Sequence, residues 1–126
     1  MDIPADRRYS KEHEWALLED DGTVRIGISE FAQHELGDVI YVEMPAVGAR
    51  VTQGVNMGEI ESVKAVSDLY SPVTGEVVET NADVKSKPEL VNEDPYAGGW
   101  LVRVKPDDAD QINSLLDPAA YQSITE

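Results

Sequence analysis

The sequence predicts a mainly β fold in which short antiparallel strands form two small sheets. Many strand-like segments follow one another, turn residues separate them at short intervals, and little room is left for the helical crossovers that a parallel sheet needs. At 126 residues, with 41% hydrophobic and 28% charged residues, the chain has the size and composition of one globular domain. We therefore expect a single domain that spans residues 1–126.

The first strands form a hairpin at residues 14–28. Asp20, Asp21 and Gly22 mark its turn, because these residue types tolerate left-handed backbone conformations. Alternation along the first strand places Trp15 on the same face as Leu17. Six further strands are expected at residues 38–44, 49–53, 57–62, 65–70, 75–80 and 99–105.

Two of these segments resemble each other, which suggests an internal repeat. Residues 48–54 read GARVTQG and residues 75–81 read GEVVETN, so each ends in Gly or Asn, at a position where a positive φ is plausible. The midpoint between the two copies falls near residues 64 and 65. We expect a hairpin tip there.

Two helices are predicted outside the strands. Ser29 has the character of an N-cap and Gly37 that of a helix stop, which gives one short helix near the N-terminus. After Pro106, residues 107–117 begin with acids and continue with apolar residues on one helical face, so they predict a C-terminal helix. Residues 118–124 are expected to form a last short turn.

The charge of the chain excludes some partners. Twenty-five acids against ten bases give a formal charge of −15, which repels both nucleic acid and anionic membrane surfaces. No uncharged stretch approaches the ~18 residues of a membrane span, and residues 1–8 lack the apolar segment of a secretory signal. We expect a cytoplasmic protein. Because the chain has no cysteine, any sulfur chemistry must come from an attached group.

Lys64 is the residue that most suggests a function. It is the only cation between Arg50 and Lys85, and Glu61 and Asp68 stand close to it in the sequence. A lysine on a tight turn holds its amine away from the fold, where a modifying enzyme can acylate it. Acylation would move the formal charge from −15 to −16, because one cation is lost. The alternative is an ordinary solvent-exposed lysine.

Four segments carry a resemblance to a known family. They read HEWALL, LGDVIYVEMP, ESVKAVSDLYSPVTGEVVETN and PELVNEDPYAGGWLVRVKP, and together they cover most of residues 9–121. The chain is similar to the glycine cleavage system H proteins over this length. Ordinary lipoyl domains resemble only the central hairpin, whereas the HEW element and the NEDPY and GGW stretch point to this one family.

The resemblance implies a barrel-sandwich hybrid of two small antiparallel sheets with the modified lysine on a hairpin. It implies a carrier without catalytic activity of its own, which bears lipoic acid on Lys64. Such a carrier shuttles an aminomethyl group from the pyridoxal-phosphate enzyme glycine decarboxylase to a tetrahydrofolate-dependent aminomethyltransferase. It passes reducing equivalents to dihydrolipoamide dehydrogenase, and lipoylating enzymes are further partners.

Three acidic residues receive roles from the same resemblance. Glu14 matches the glutamate of the HEW element and is expected, with Asp68, in a cleft that shelters the carried amine; the alternatives are a solvent-facing strand residue and a turn former. Glu61 is expected to be read by the lipoylating enzyme. Glu12 departs from the family, which often has a small hydroxyl residue there. The resemblance therefore does not define the local structure of the cleft at residue 12.

Several other functions fit less well. A lipoyl domain of a 2-oxo acid dehydrogenase normally continues into a Pro- and Ala-rich linker, and a biotin carrier has methionine on both sides of its lysine, where this chain has Val63 and Ala65. The sequence does not separate an aminomethyl carrier from a lipoyl donor to other complexes. His13 and His34 form no catalytic or metal-binding pattern, so a stand-alone enzyme and a zinc site are disfavoured.

Overall fold

The computed structural model describes all residues, 1–126, as nine strands, four α-helices and one 3-10 helix. The strands are β1 (Arg8–Tyr9), β2 (Glu14–Leu18), β3 (Val24–Ile28), β4 (Val39–Glu43), β5 (Arg50–Val51), β6 (Asn56–Ser62), β7 (Val66–Tyr70), β8 (Gly75–Thr80) and β9 (Val102–Pro106). The α-helices are α1 (Glu30–Leu36), α2 (Ala82–Ser86), α3 (Leu90–Glu93) and α4 (Pro118–Thr125), and the 3-10 helix is Ala109–Ser114.

The strands form two antiparallel sheets that share one core. The larger sheet has the order β1-β2-β3-β9-β8-β5, and the smaller has the order β4-β6-β7. A cluster of 17 buried residues joins them, with Val24, Ile26 and Val104 from the larger sheet and Val42 and Ile60 from the smaller. The predicted mainly β fold of two small antiparallel sheets is confirmed. The arrangement is sandwich-like, and neither sheet closes into a barrel.

A second cluster packs around Trp15 and brings two segments that are distant in the sequence into contact. Trp15 is fully buried with Tyr9 and Tyr121, and its indole N–H donates to the carbonyl of Pro95 at 3.0 Å. Gly27 lies opposite Trp15 in the β2–β3 pair, and a Cβ there would come within 2.5 Å of the indole ring. The HEW element and the NEDPY segment are therefore in direct contact.

The prediction for the C-terminal segment was wrong in its helix positions. Residues 107–117 do not form an α-helix: they contain the short 3-10 helix, and Leu116 then pairs with Tyr9 as an isolated bridge. The α-helix is the segment that was expected to be only a turn. Asp117 caps it by accepting from the Ala120 N–H at 2.8 Å, and Pro118 occupies its first turn, where a missing N–H costs nothing.

Two other expectations need correction, and two helices were not predicted. Asn81 does not adopt a positive φ like that of Gly54; its φ is −83°, and it serves as the N-cap of α2. The two resembling segments pair with each other as β5 and β8. The strand expected at residues 99–105 begins only at Val102, because the chain before it turns tightly around Gly99. Helices α2 and α3 were missed, since each is only one turn long.

None of the helices is long and apolar enough to span a membrane.

Candidate functional site: a lysine hairpin beside an acidic cleft

Lys64 lies at the tip of the hairpin formed by β6 and β7. The turn is closed locally: the Ser62 N–H donates to the Ala65 carbonyl at 2.8 Å, and the Ala65 N–H donates to Ser62 Oγ at 3.1 Å. Val63 and Lys64 between them are both exposed. Lys64 belongs to none of the ion pairs of the protein, so its amine is free to react.

The hairpin tip is held against the end of α1. The Val63 N–H donates to the Asp38 carbonyl at 3.0 Å, and a Cβ at Gly37 would lie 3.4 Å from Lys64 Cε. Gly37 has a φ of 78°, which few residues other than glycine adopt, and it ends the helix. The lysine stem thus lies in van der Waals reach of the helix end, and it is the positive φ that favours glycine at this position.

Asn92 from α3 fixes this junction. Its side-chain amide donates to the Gly37 carbonyl at 2.8 Å and to Gln33 Oε1 at 3.0 Å, and its oxygen accepts from the Val39 N–H at 2.8 Å. One side chain therefore joins the end of α1 to the start of β4. This is a function of the NEDPY segment that sequence reasoning did not identify.

A cleft of about 510 Å³ opens beside the tip, between α1, the start of β2 and strand β7. Its apolar lining is Ile28, Phe31, Ala32, Leu36, Ile60, Ala65 and Val66. Its polar lining is Glu12, His13, Glu14, Glu35, Ser67 and Asp68. An apolar channel that carries four carboxyl groups suits an alkyl chain with a cationic end.

Glu14 is the buried carboxyl of the cleft. Only 2% of its surface is exposed. The Ser10 hydroxyl donates to one carboxyl oxygen, and the Tyr70 N–H donates to the other at 3.3 Å. Burial raises the pKa of Glu14 from its ordinary 4.5 to about 8, although both hydrogen bonds act in the opposite direction. Near neutral pH the carboxyl is therefore mainly protonated, and a cation beside it would favour the ionised form.

The other predicted acids lie in different places. Asp68 is exposed at the wall of the cleft, with its carboxylate 3.3 Å from the Tyr70 hydroxyl, which donates to it. Glu61 does not line the cleft; it is half-buried on β6, opposite Val66. The structure thus brings Glu14 and Asp68 together beside the lysine hairpin and leaves Glu61 outside.

Sequence reasoning missed two cleft residues and left a third open. Glu35 lines the cleft from the last turn of α1, and His13 lines it from the segment before β2. Glu12, the departure from the family pattern, also lies at the cleft. Helical spacing could have placed Glu35 on the face of Ala32. Nothing in the sequence indicates that the backbone of His13 adopts a left-handed conformation, with a φ of 74°. His34 is exposed on α1.

The fold and this site define a class of protein. A small two-sheet β domain that presents an exposed lysine on a hairpin tip is the architecture of carrier domains that bear a cofactor on that lysine.

Comparison with known proteins identifies the family. Residues 7–126 match the model of the glycine cleavage H-protein family. A glycine cleavage system H protein of Thermus thermophilus is 53% identical over 126 residues, which are 100% of this chain and 98% of that protein. One of Escherichia coli is 51% identical over 124 residues, 98% of this chain and 96% of that protein. The chain belongs to the glycine cleavage H-protein family, as its sequence predicted.

A solved structure supports the same conclusion. The crystal structure of a glycine cleavage system H protein from Mycobacterium marinum matches with a TM-score of 0.90 and 39% identity, over 97% of this chain and 98% of that one. The predicted carrier role in the glycine cleavage system is confirmed at the level of the family.

Proposed function

We propose that Lys64 is the lipoyl attachment site and that the chain acts as a single carrier domain without catalysis of its own. The observation that carries the proposal is the position of one unpaired, exposed lysine at a hairpin tip that borders an apolar cleft. When attached, a lipoyl group would supply the sulfur chemistry that this cysteine-free chain lacks. The cleft fits such a group, because its lining is apolar near the tip. Its carboxyl groups would suit a cationic amine carried on that group.

The partners in this proposal are the enzymes of the glycine cleavage system. Glycine decarboxylase would supply the aminomethyl group that the arm carries, aminomethyltransferase would receive it, and dihydrolipoamide dehydrogenase would take up the reducing equivalents. A tether raises the effective concentration of the reacting group in each enzyme, so no intermediate diffuses freely. We place this cycle in the cytoplasm, because the glycine cleavage system H proteins that the chain resembles are bacterial. We call the modified lysine side chain with its cationic amine cargo the loaded arm.

Glu14 and Asp68 have the role of holding that cation. A carboxylate in a water-poor cleft binds an ammonium group more strongly than one in water. Glu14 is buried and, with a pKa of about 8, mainly protonated near neutral pH while the cleft is empty. A cation in the cleft would favour its ionised form, so the negative charge in the interior would be paired when it is present. Asp68, at the exposed wall, adds a second negative charge.

Glu61 has a different role, in recognition by the lipoylating enzyme. It stands three residues before Lys64 on the strand that leads to the tip, and its half-buried side chain lies outside the cleft. An enzyme that acylates Lys64 must contact this strand.

Intact mass tests the attachment site. Co-expression with a lipoylating enzyme is expected to add the mass of one lipoyl amide, and peptide mapping is expected to place it on Lys64. Lys64→Arg removes the modification, whereas Lys85→Arg, at another exposed lysine, keeps it. A lipoyl group on another lysine, or none on the wild-type chain, overturns the proposal.

Exchange of labelled bicarbonate with glycine tests the carrier role. The lipoylated protein is expected to stimulate glycine-dependent exchange by purified glycine decarboxylase, and Lys64→Arg is expected to abolish that stimulation. Normal lipoylation without any stimulation would favour the lipoyl-donor function instead.

A further inference from the structure

Two walls of the cleft diverge from the paired strands β2 and β3. One wall is the segment 12–14, which leads into β2, and the other is α1, which follows β3. The Ser29 N–H donates to the His13 carbonyl at 3.0 Å, and no backbone hydrogen bond joins the two walls beyond this one. His13 and Ser29 therefore mark the point at which the walls separate.

Tyr121 from the C-terminal helix α4 contacts both residues of this pair. Its hydroxyl lies 2.8 Å from His13 Nδ1 and 2.6 Å from Ser29 Oγ. Ser29 is fully buried and caps α1, since its Oγ accepts from the Ala32 N–H at 3.1 Å. One phenol therefore joins the segment before β2 to the first turn of α1, although Tyr121 does not itself line the cleft.

One arrangement of protons satisfies every group at this junction. Burial raises the pKa of Tyr121 to about 12, so its hydroxyl keeps its proton. Burial also lowers the pKa of His13, although Glu12 and Glu35 act to raise it, so the imidazole is mainly neutral near neutral pH. The Tyr121 hydroxyl then donates to His13 Nδ1 and accepts from the Ser29 hydroxyl, and the imidazole proton is on Nε2.

Both walls need support at this point. The φ of His13 is 74°, in the left-handed region that side chains seldom adopt, and such a conformation persists only where its surroundings hold it. Helix α1 has seven residues, none of them fully buried, and only Ala32 and Leu36 pack partly against the core. A helix this short depends on its cap and its tertiary contacts.

Tyr121 is a rigid support, because its own position is fixed. It is fully buried, and its ring stacks on the ring of Tyr9 with a centroid distance of 4.5 Å and an interplanar angle of 9°. Tyr9 also pairs with Leu116, which directly precedes the Asp117 cap of α4. The phenol therefore has little freedom to follow a movement of either wall.

We infer that Tyr121 is a positioning residue for the cleft: by holding His13 and Ser29 together, it sets the separation of the two walls and thereby the retention of the loaded arm. It acts through other residues, since Glu14 follows His13 and Phe31 lies in the first turn of α1. A cleft whose walls are fixed in advance binds its ligand without a further cost of ordering. The inference rests on the proposed function, because it needs a cargo carried on Lys64.

A matched pair of tyrosine variants provides the main test. Tyr121→Phe keeps the stacked ring and removes the hydroxyl between the walls, whereas Tyr9→Phe, in the same stack, removes a hydroxyl that donates to the Pro4 carbonyl at 2.6 Å. The lipoylated chain is loaded with glycine and glycine decarboxylase, and mass spectrometry follows the loss of the aminomethyl group. We expect loss about fivefold faster than in the wild type in Tyr121→Phe and within about twofold of it in Tyr9→Phe. Equal lifetimes in the two variants overturn the inference.

The imidazole of His13 provides a spectroscopic readout that a general loss of stability does not change. Nitrogen-15 shifts of the unmodified wild type near neutral pH are expected to show a protonated Nε2 and an unprotonated, hydrogen-bonded Nδ1. The Nδ1 shift is expected to change in Tyr121→Phe, because Nδ1 loses its donor, and to stay constant in Tyr9→Phe. Identical imidazole shifts in the wild type and Tyr121→Phe overturn the inference, since the contact would then be absent in solution.

Ser29→Ala tests the other end of the same link. It leaves the contact between Tyr121 and His13 in place but disconnects α1, so it is also expected to accelerate cargo loss. Because a break at either end breaks the link, the double variant Tyr121→Phe with Ser29→Ala is expected to lose cargo no faster than Ser29→Ala alone. Effects of the two substitutions that multiply would mean that the two hydroxyls act independently, which contradicts the inference.

Failure of this inference is distinguishable from failure of the proposed function. All of these variants are expected to be lipoylated on Lys64 at the rate of the wild type, because the junction is not part of the hairpin tip. A lipoylated, loaded chain whose cargo lifetime is unchanged in Tyr121→Phe refutes only the role of Tyr121. A wild-type chain that is never lipoylated refutes the carrier function itself.

Discussion

The hairpin tip and the cleft beside it are built by opposite means. The turn at Ser62–Ala65 closes on itself through two short-range hydrogen bonds, and its central residues are exposed. The cleft depends on long-range contacts: Tyr70 reaches Glu14 across 56 positions of sequence, and Tyr121 reaches His13 across 108. The turn that receives the modification is thus closed by local bonds and positioned by one bond from Val63 to Asp38, whereas the part that shelters its cargo depends on contacts from the whole fold.

The largest expected difference between the two regions is in pH dependence. Since the folded chain keeps Glu14 protonated up to about pH 8 and the unfolded chain ionises it near 4.5, the folded state binds the extra proton between these values. The free energy of unfolding therefore falls as pH rises through this window, by about 1.4 kcal/mol per pKa unit and so by several kcal/mol in total. Urea denaturation of the wild type and of Glu14→Gln at several pH values measures this decrease, as the difference between their free energies of unfolding.

In Glu14→Gln the pH-dependent loss is expected to disappear, so the variant gains stability relative to the wild type above pH 8. Lys64→Gln, at the exposed tip, is the matched control and is expected to leave the slope unchanged. If Glu14→Gln and the wild type have parallel curves, then Glu14 is ionised in the empty cleft.

Gly27→Ala tests whether the close packing of Trp15 against Gly27 stabilises the fold. A Cβ at this position would lie 2.5 Å from the indole, which is itself fully buried, so either the ring or strand β3 must move. Overpacking of this kind costs about 1–3 kcal/mol of folding free energy. Thermal unfolding is expected to show a clear loss of stability, with no change in the turn at the tip. A variant as stable as the wild type would show that the indole has room to shift.

Asn92→Ala acts on the contact between the two regions. The substitution leaves the Val39 N–H and the half-buried Gly37 carbonyl without their partner, at a cost of about 1–3 kcal/mol for the groups that stay unsatisfied. We also expect faster amide exchange at Val63, whose N–H donates to the Asp38 carbonyl at this junction. Asn113→Ala, at an exposed position, is the control. An unchanged rate of amide exchange at Val63 would show that the hairpin tip does not depend on the contacts of Asn92 in α3.

Features that depend on nearby residues could be read from the sequence, and those that depend on distant contacts could not. The turn at Gly22, the cap at Ser29 and the strand at Gly75–Thr80 follow from local residue types and were predicted. Alternation also placed Trp15 and Leu17 on one face, where both pack in the same cluster.

The predictions that failed concern features that depend on contacts between residues distant in the sequence. Residues 107–117 have helical periodicity, but pairing of Leu116 with Tyr9 overrides it, and such a contact is invisible locally. The left-handed His13 and the buried state of Glu14 have the same cause, because each depends on partners that the fold alone brings together. Two of the four cleft carboxyls, Glu14 and Asp68, were named through resemblance to a family, and their sequence did not show that one is buried and the other exposed.

The smallest expected effect on stability is at the tip itself. Val63 is 73% exposed, so Val63→Ser is expected to change the free energy of unfolding by less than about 0.5 kcal/mol. If a lipoylating enzyme covers this side chain, burial of a valine is worth about 1.5 kcal/mol, and kcat/KM for lipoylation falls roughly tenfold. Val47→Ser, at a 63% exposed valine between β4 and β5, is the control and is expected to leave lipoylation unchanged. Equal rates for the two variants would mean that the enzyme reads Lys64 without touching its apolar neighbour.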